Sequence, residues 1–233
     1  MAKKSRTPAP PRAVQAPKRR TEPRKPGRGR LWLAVGLGSL LLSGAIGAGA
    51  YFALGGDDAK AGANDVCQVQ TVKAQGQGHV DKLPKDFKPA SFPRVTGPHD
   101  PQTIIYGEYD ESVTQLQLVH NLEHGAVVVQ WGAGVSEETI NAIRAWYRTD
   151  PRGMVIAPLP ENDEAEKLRD KIMLAAWVVE RDGSSPDARI TKQEGKLASC
   201  SRFDEDAFNG FLDDYRGRGP EGFTLDQMAP GSG

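Results

Sequence analysis

The chain predicts an α+β fold: a two-layer domain with helices on a small mixed sheet, preceded by one transmembrane helix. Three observations predict it. Leu31 to Leu54 carry no charge over 24 positions. Apolar runs of strand length then alternate with amphipathic segments, in the order strand, helix, strand, strand, helix. Each amphipathic segment begins at a residue suited to cap a helix.

Residues 1–30 contain Pro8, Pro10, Pro11, Pro17, Pro23 and Pro26 and almost no large apolar side chain. They have too little to bury, and are expected to be a disordered basic tail. Eleven Lys or Arg against the single acid Glu22 make the tail net +10, so the remaining chain is net −10. Positive charge beside a span stays cytoplasmic, which places 31–54 as a signal anchor and the C-terminal domain outside the cell membrane. About 20 apolar helical residues cross a bilayer. The run exceeds the ~7–15 residues of a cleaved signal, although Ala48-Gly49-Ala50 has the small residues a signal peptidase accepts. The tail is read as setting orientation at anionic lipid, not as binding nucleic acid. Ser43 and Gly47, or Ala45 and Gly49, form a small-x-x-x-small face on which the span could pair as a homodimer.

Residues 55–64 read as a polar linker, 65–221 as the exported α+β domain and 222–233 as a disordered tail. Residues 75–103, rich in Gly and Pro, predict an extended irregular segment with a turn at Gly97-Pro98. Ala126-Val127-Val128-Val129-Gln130-Trp131 is a continuous β-branched run and predicts a buried strand. Ser136 caps a helix that carries Glu137 and Glu138 in its first turn and Ile140, Ile143, Trp146 and Tyr147 on one face; Pro151 ends it. Met154–Ala157 and Ile172–Val179 predict two more strands, with a charged helical turn in 163–170 between them. Asp204 caps a last helix bearing Phe208, Phe211, Leu212 and Tyr215, which Gly217 and Gly219 stop. This order also occurs in the second half of thioredoxin-like folds, but without Cys-x-x-Cys it implies no redox chemistry.

Cys67 and Cys200 are the only cysteines. An even count in an exported domain reads as one disulfide, which by loop entropy contributes on the order of 4–5 kcal/mol. A Cys2His2 zinc site lacks the usual paired spacing.

The four histidines are His79, His99, His120 and His124. His120 and His124 share a face whether the segment is helix or strand, because a spacing of four suits both periods. Neutral imidazole ligates zinc and copper, so His99, His120 and His124 are candidate ligands for either metal, with Glu123 and His79 as further candidates. In a strand Glu123 points away from the imidazoles; in a helix it reaches their side only obliquely. His-x-x-Glu-His also matches the inverzincin metalloprotease pattern, in which Glu123 would be the base of a metal-dependent hydrolase; Gly125 and the following strand leave little room for that class's long helix. The main alternative to metal binding, ahead of the hydrolase, keeps the histidines structural, in a non-enzymatic interaction module of the cell envelope. Met154 and Met173 lie in apolar runs and read as core, and Asp100, Glu108 and Asp110 as a solvated acidic face.

Val119-His120-Asn121-Leu122-Glu123-His124-Gly125, followed by a hydrophobic strand, resembles the bacterial family catalogued as domain of unknown function 3105. Gly97-Pro98-His99 is similar to that family's upstream Pro-Pro-x-Ser-Gly-Pro-His signature, and Gly78-His79-Val80 to a shorter one before it. Phe203-Asp204 through Gly219-Pro220-Glu221 resembles its closing segment, so the likeness runs over about 65–221. Phe92-Pro93-Arg94-Val95-Thr96 stands where the signature has its double proline and serine. The resemblance implies a membrane-anchored exported domain, many of its members actinobacterial, and implies no reaction.

Overall fold

Val127–Trp131 (β3) is buried along its whole length, because its two faces look into two separate cores. Val127, Val129 and Trp131 enter one core, and Val128 the other. A strand buried on both sides reads as an uninterrupted apolar run, which is the pattern this segment shows. The computed structural model describes residues 66–233. The expected basic tail, span and linker at 1–30, 31–54 and 55–64 lie outside the described residues. Among the described residues no helix is long and apolar enough to cross a membrane.

The fold is α+β, built on one mixed six-stranded sheet. Its strands are Cys67–Lys73 (β1), Gly107–Glu108 (β2), β3, Met154–Pro158 (β4), Ile172–Arg181 (β5) and Ile190–Cys200 (β6). Their spatial order is β1-β6-β5-β3-β4-β2. β4 runs parallel to both β3 and β2; the β3–β5, β5–β6 and β6–β1 pairs are antiparallel. The helices are Gln115–His124 (α1), Glu137–Tyr147 (α2), Asp163–Glu166 (α3) and Glu205–Tyr215 (α4).

Helices cover both faces of the sheet, which corrects the two-layer expectation. On one face α2 and α4 pack Ile143, Trp146, Phe208 and Phe211 against Val129, Ile156 and Leu174. On the other α1 packs Leu118, Val119 and Leu122 against Val128, Met173, Ala175 and Trp177. The caps read from sequence are in place: Ser136 Oγ accepts from Thr139 N–H at 3.3 Å and Asp204 Oδ1 from Ala207 N–H at 3.0 Å. Cys67 and Cys200 face each other across the β1–β6 ladder and are joined in a disulfide. Both sulfurs are therefore unavailable to a metal.

Residues 222–233, expected as a disordered tail, instead fold back onto the domain. Met228 is fully buried, its carbonyl accepts from Gly153 N–H at 2.8 Å, and Ser232 O and Gly231 N–H both bond Tyr106. Phe223, Leu225 and Met228 fill the α1-side core, but they are too sparse to register as a periodic pattern.

Two features place the irregular segment 75–103 over the sheet. Val95 sits on Gly195 of β6, where a Cβ would come within 2.3 Å of Val95 Cγ2. Arg94, Val95 and Thr96 are buried there. His79 and His99 form an isolated parallel bridge, with Val80 N–H bonded to His99 O at 2.7 Å and His99 N–H to Gly78 O at 3.0 Å. This bridge lays two distant stretches of chain side by side.

Candidate metal centre

The His120–His124 segment is helical, which settles the choice that its spacing left open. Thr114 Oγ1 accepts from Leu116 N–H at 3.3 Å to start α1. Gly125 ends it at φ 109°, a left-handed conformation suited to glycine, and Ala126 N–H closes onto Asn121 O at 3.0 Å. The last turn of α1 is thus rigid, and it carries His120, Glu123 and His124, all buried.

The segment 99–105 is stitched along α1. Asp100 N–H bonds Leu116 O at 3.1 Å. Asn121 accepts from Ile104 N–H at 2.9 Å and donates to Ile104 O at 2.8 Å, a two-bond clamp from a fully buried amide. These bonds bring His99 beside His120, and the bridge brings His79. The three rings form a nearly equilateral triangle, with centroids 4.9–5.0 Å apart. Trp177 lies edge-on beneath His99, at 6.1 Å.

The orientation of two rings follows from their partners. His99 Nδ1 lies 2.8 Å from Gly97 O, and His120 Nδ1 lies 2.8 Å from Asp100 O. A carbonyl oxygen only accepts, so each Nδ1 carries the proton and each neutral ring keeps its lone pair on Nε2. Glu123 completes the group: Oε1 accepts from Gln77 Nε2 at 2.8 Å, and Oε2 stands 2.8 Å from His99 Nε2. That last contact is short, yet His99 Nε2 is buried with no aligned hydrogen-bond partner. A lone pair and a carboxylate oxygen this close require positive charge between or beside them, as a second proton or as a cation.

The electrostatics agree. Burial opposes charge on His99, but Glu123 and the Gly97 carbonyl outweigh it and hold the pKa above its ordinary value. Burial pushes His120 down, and the Asp100 carbonyl only partly offsets it. Burial alone would raise Glu123, but His99 and Gln77 hold it below the usual carboxylate range. Glu123 is thus held toward its ionised form and His99 toward its protonated form, while burial holds His120 toward the neutral ring.

Donor atoms of His79, His99, His120 and Glu123 all lie within 4.8 Å of one another, and such a set could hold a metal ion. His79 is the exposed member. The three histidines read together from sequence are divided: His99 and His120 belong to this set, while His124 adjoins it in a second set with His120 and Glu221. His124 Nδ1 is 3.1 Å from the Tyr106 hydroxyl, Nε2 is 3.1 Å from Glu221 Oε2, and the ring stacks on Phe223 at 3.9 Å. Burial and the neighbouring His120 push its pKa down to about 4. Glu123 lies with the imidazoles, not apart from them, and both of its oxygens are engaged.

Gln77, Tyr106, Glu221 and Phe223 escaped the sequence reading. Of these only Glu221 stood in a motif, Gly219-Pro220-Glu221. Here that motif clasps the end of α1: Gly217 N–H bonds Gly125 O at 2.7 Å, Glu221 N–H bonds Glu123 O at 3.1 Å and Phe223 N–H bonds His124 O at 3.3 Å.

No curated protein and no solved structure matches the chain. A family match covers residues 85–227, more than half of its length and all of the site except Gln77 and His79. The chain belongs to the family described as Protein of unknown function (DUF3105).

Proposed function

We propose that this protein is a membrane-anchored exported domain that binds a transition metal ion, copper or zinc, through His79, His99, His120 and Glu123. One observation carries the metal reading. Backbone carbonyls lock two imidazoles in the Nδ1–H form, so each keeps its lone pair on Nε2, and both rings offer a donor atom within 4.8 Å of the Glu123 carboxylate. This is how metal-ligating histidines are generally held, with the second ring nitrogen donating to a carbonyl or carboxylate. Zinc–nitrogen bonds of about 2.0–2.1 Å put tetrahedral donors roughly 3.3 Å apart, within reach of this set by small ring rotations. Anchoring and export rest on the basic tail and uncharged run of the sequence, and the Cys67–Cys200 disulfide suits an oxidising compartment.

The hydrolase reading draws less support, since Glu123 is buried, Oε1 already accepts from Gln77 Nε2 and Oε2 faces His99 at 2.8 Å. A structural histidine cluster in an interaction module of the envelope is favoured by one observation: the raised proton affinity of His99 would itself supply the positive charge beside Glu123.

Metal analysis of the purified protein against His99→Ala and His120→Ala separates the two. The metal reading expects about one tightly held zinc or copper ion per wild-type chain and near-complete loss in both variants. Equal, substoichiometric metal in all three proteins would overturn it.

A further inference from the structure

Tyr106, His124, Glu221 and Phe223 lie outside the proposed ligand set but touch it through His120, whose ring centroid is 4.7 Å from that of His124. Asp100 O holds His120 Nδ1, so His120 has one nitrogen to offer. That ring nevertheless belongs to both groups, His79–His99–His120–Glu123 and His120–His124–Glu221. It can serve one ion at a time.

The two groups differ in how their tautomers are set. His124 Nδ1 faces a hydroxyl, which donates or accepts equally well. With the tyrosine donating, Nε2–H of His124 bonds Glu221 and the group is satisfied without an ion. With the proton on Nδ1 and the tyrosine accepting, Nε2 becomes a lone pair beside the Glu221 carboxylate. The change moves a proton between the two nitrogens of one ring and needs no net uptake or release. Glu221 gives this second group its own opening to solvent, its side chain 38% exposed while that of Glu123 is 5% exposed; on the inner set the exposed member is His79.

From this we infer that His124 and Glu221, with His120, form a second and transient cation position through which the ion enters and leaves the inner set. The inference rests on the metal reading above and deepens it, making the protein one that exchanges its ion. His120 is the shared ligand: the ion moves across it and the ring stays.

The test uses the full-length protein, zinc(II) as probe, and the variants Glu221→Gln and His124→Gln. Glu221→Gln keeps the shape and the acceptor for His124 but removes the charge. Both variants are expected to retain the wild-type stoichiometry and an affinity within about threefold, while stopped-flow uptake and chelator-driven release slow roughly tenfold together. Wild-type rates in Glu221→Gln would overturn the transient position and leave the inner site standing. Loss of the ion from either variant would also overturn it, by making these residues resident ligands. Absence of zinc from the wild type would instead sink the metal reading itself, and the exchange position with it.

Discussion

The inner and outer groups use the same chemistry, imidazoles beside a carboxylate, and draw on the same turn of α1. They differ in what stands behind the rings. Behind His99 and His120 are backbone carbonyls; behind His124 is a phenol. A carbonyl dictates the tautomer and aims a lone pair inward, whereas a phenol lets the ring satisfy itself. The pKa directions follow the same division: Glu123 draws His99 upward, while burial drives His124 down to about 4. A count of histidines cannot tell a ring with a fixed lone pair from one that can satisfy itself, but the atom behind each ring can.

The sharpest way to break this comparison is to remove one ring from each group. His120→Ala is expected to cost about a thousandfold in zinc affinity, or ~4 kcal/mol, since it deletes a donor whose geometry nothing else replaces. His124→Gln should change affinity by less than about threefold. Isothermal titration of both variants reads the contrast, and equal losses would merge the two groups into one.

The strap that carries Glu221 offers a second cut. A Cβ on Gly219 would stand 2.3 Å from Gly125 N and 2.4 Å from Glu123 O, both backbone atoms that cannot turn aside. Gly219→Ala should therefore push the strap off the end of α1 and cost about 3 kcal/mol in urea unfolding. If metal affinity survives that loss, the inner group is independent of the strap; if it falls with stability, the strap positions Glu123.

Stability against pH is the third probe, run with chelator present. His124 titrates near 4 in the fold and around 6.5 when unfolded. A depressed pKa means that the unfolded chain takes up the proton first, so the contribution is present above about pH 6.5 and drains away as pH falls toward 4. His120, also lowered, acts in the same direction; His99, raised, opposes them. The net expectation is a loss of about 2 kcal/mol between pH 7 and pH 4.5, much reduced in His124→Gln. A flat profile would mean that His124 is not held neutral by its surroundings.

Much of the sheet was legible because its signals are local. Ala126 to Trp131, Ser136 with its acidic first turn, and Asp204 with its aromatic stripe each declare their element within a dozen residues. β6 was missed because Lys192, Glu194, Gly195 and Lys196 interrupt it, and that glycine answers to Val95, a hundred positions away in sequence. The second helical layer was missed because Gln115-Leu116-Gln117-Leu118 alternates like a strand, and only the Thr114 cap and the left-handed Gly125 make it a helix. The site was legible as far as its residue types. Its division into two groups was not, because that depends on Gly97 O, Asp100 O and the Tyr106 hydroxyl, tertiary partners with no pattern of their own.

The smallest expected effect tests whether α1 must be whole for the comparison to hold. Thr114 caps the helix from the end opposite the histidines, and its hydroxyl satisfies one N–H. Thr114→Ala should cost about 1 kcal/mol of stability. About two and a half turns separate the cap from Glu123, and Asn121, the Asp100 carbonyl on His120 and the 217–223 strap hold the far end on their own. Zinc affinity should therefore stay unchanged while the urea midpoint falls. A parallel fall in affinity would show that the donors are aimed by the helix as a unit, and the carbonyls behind His99 and His120 would then lose their claim to fix the inner group.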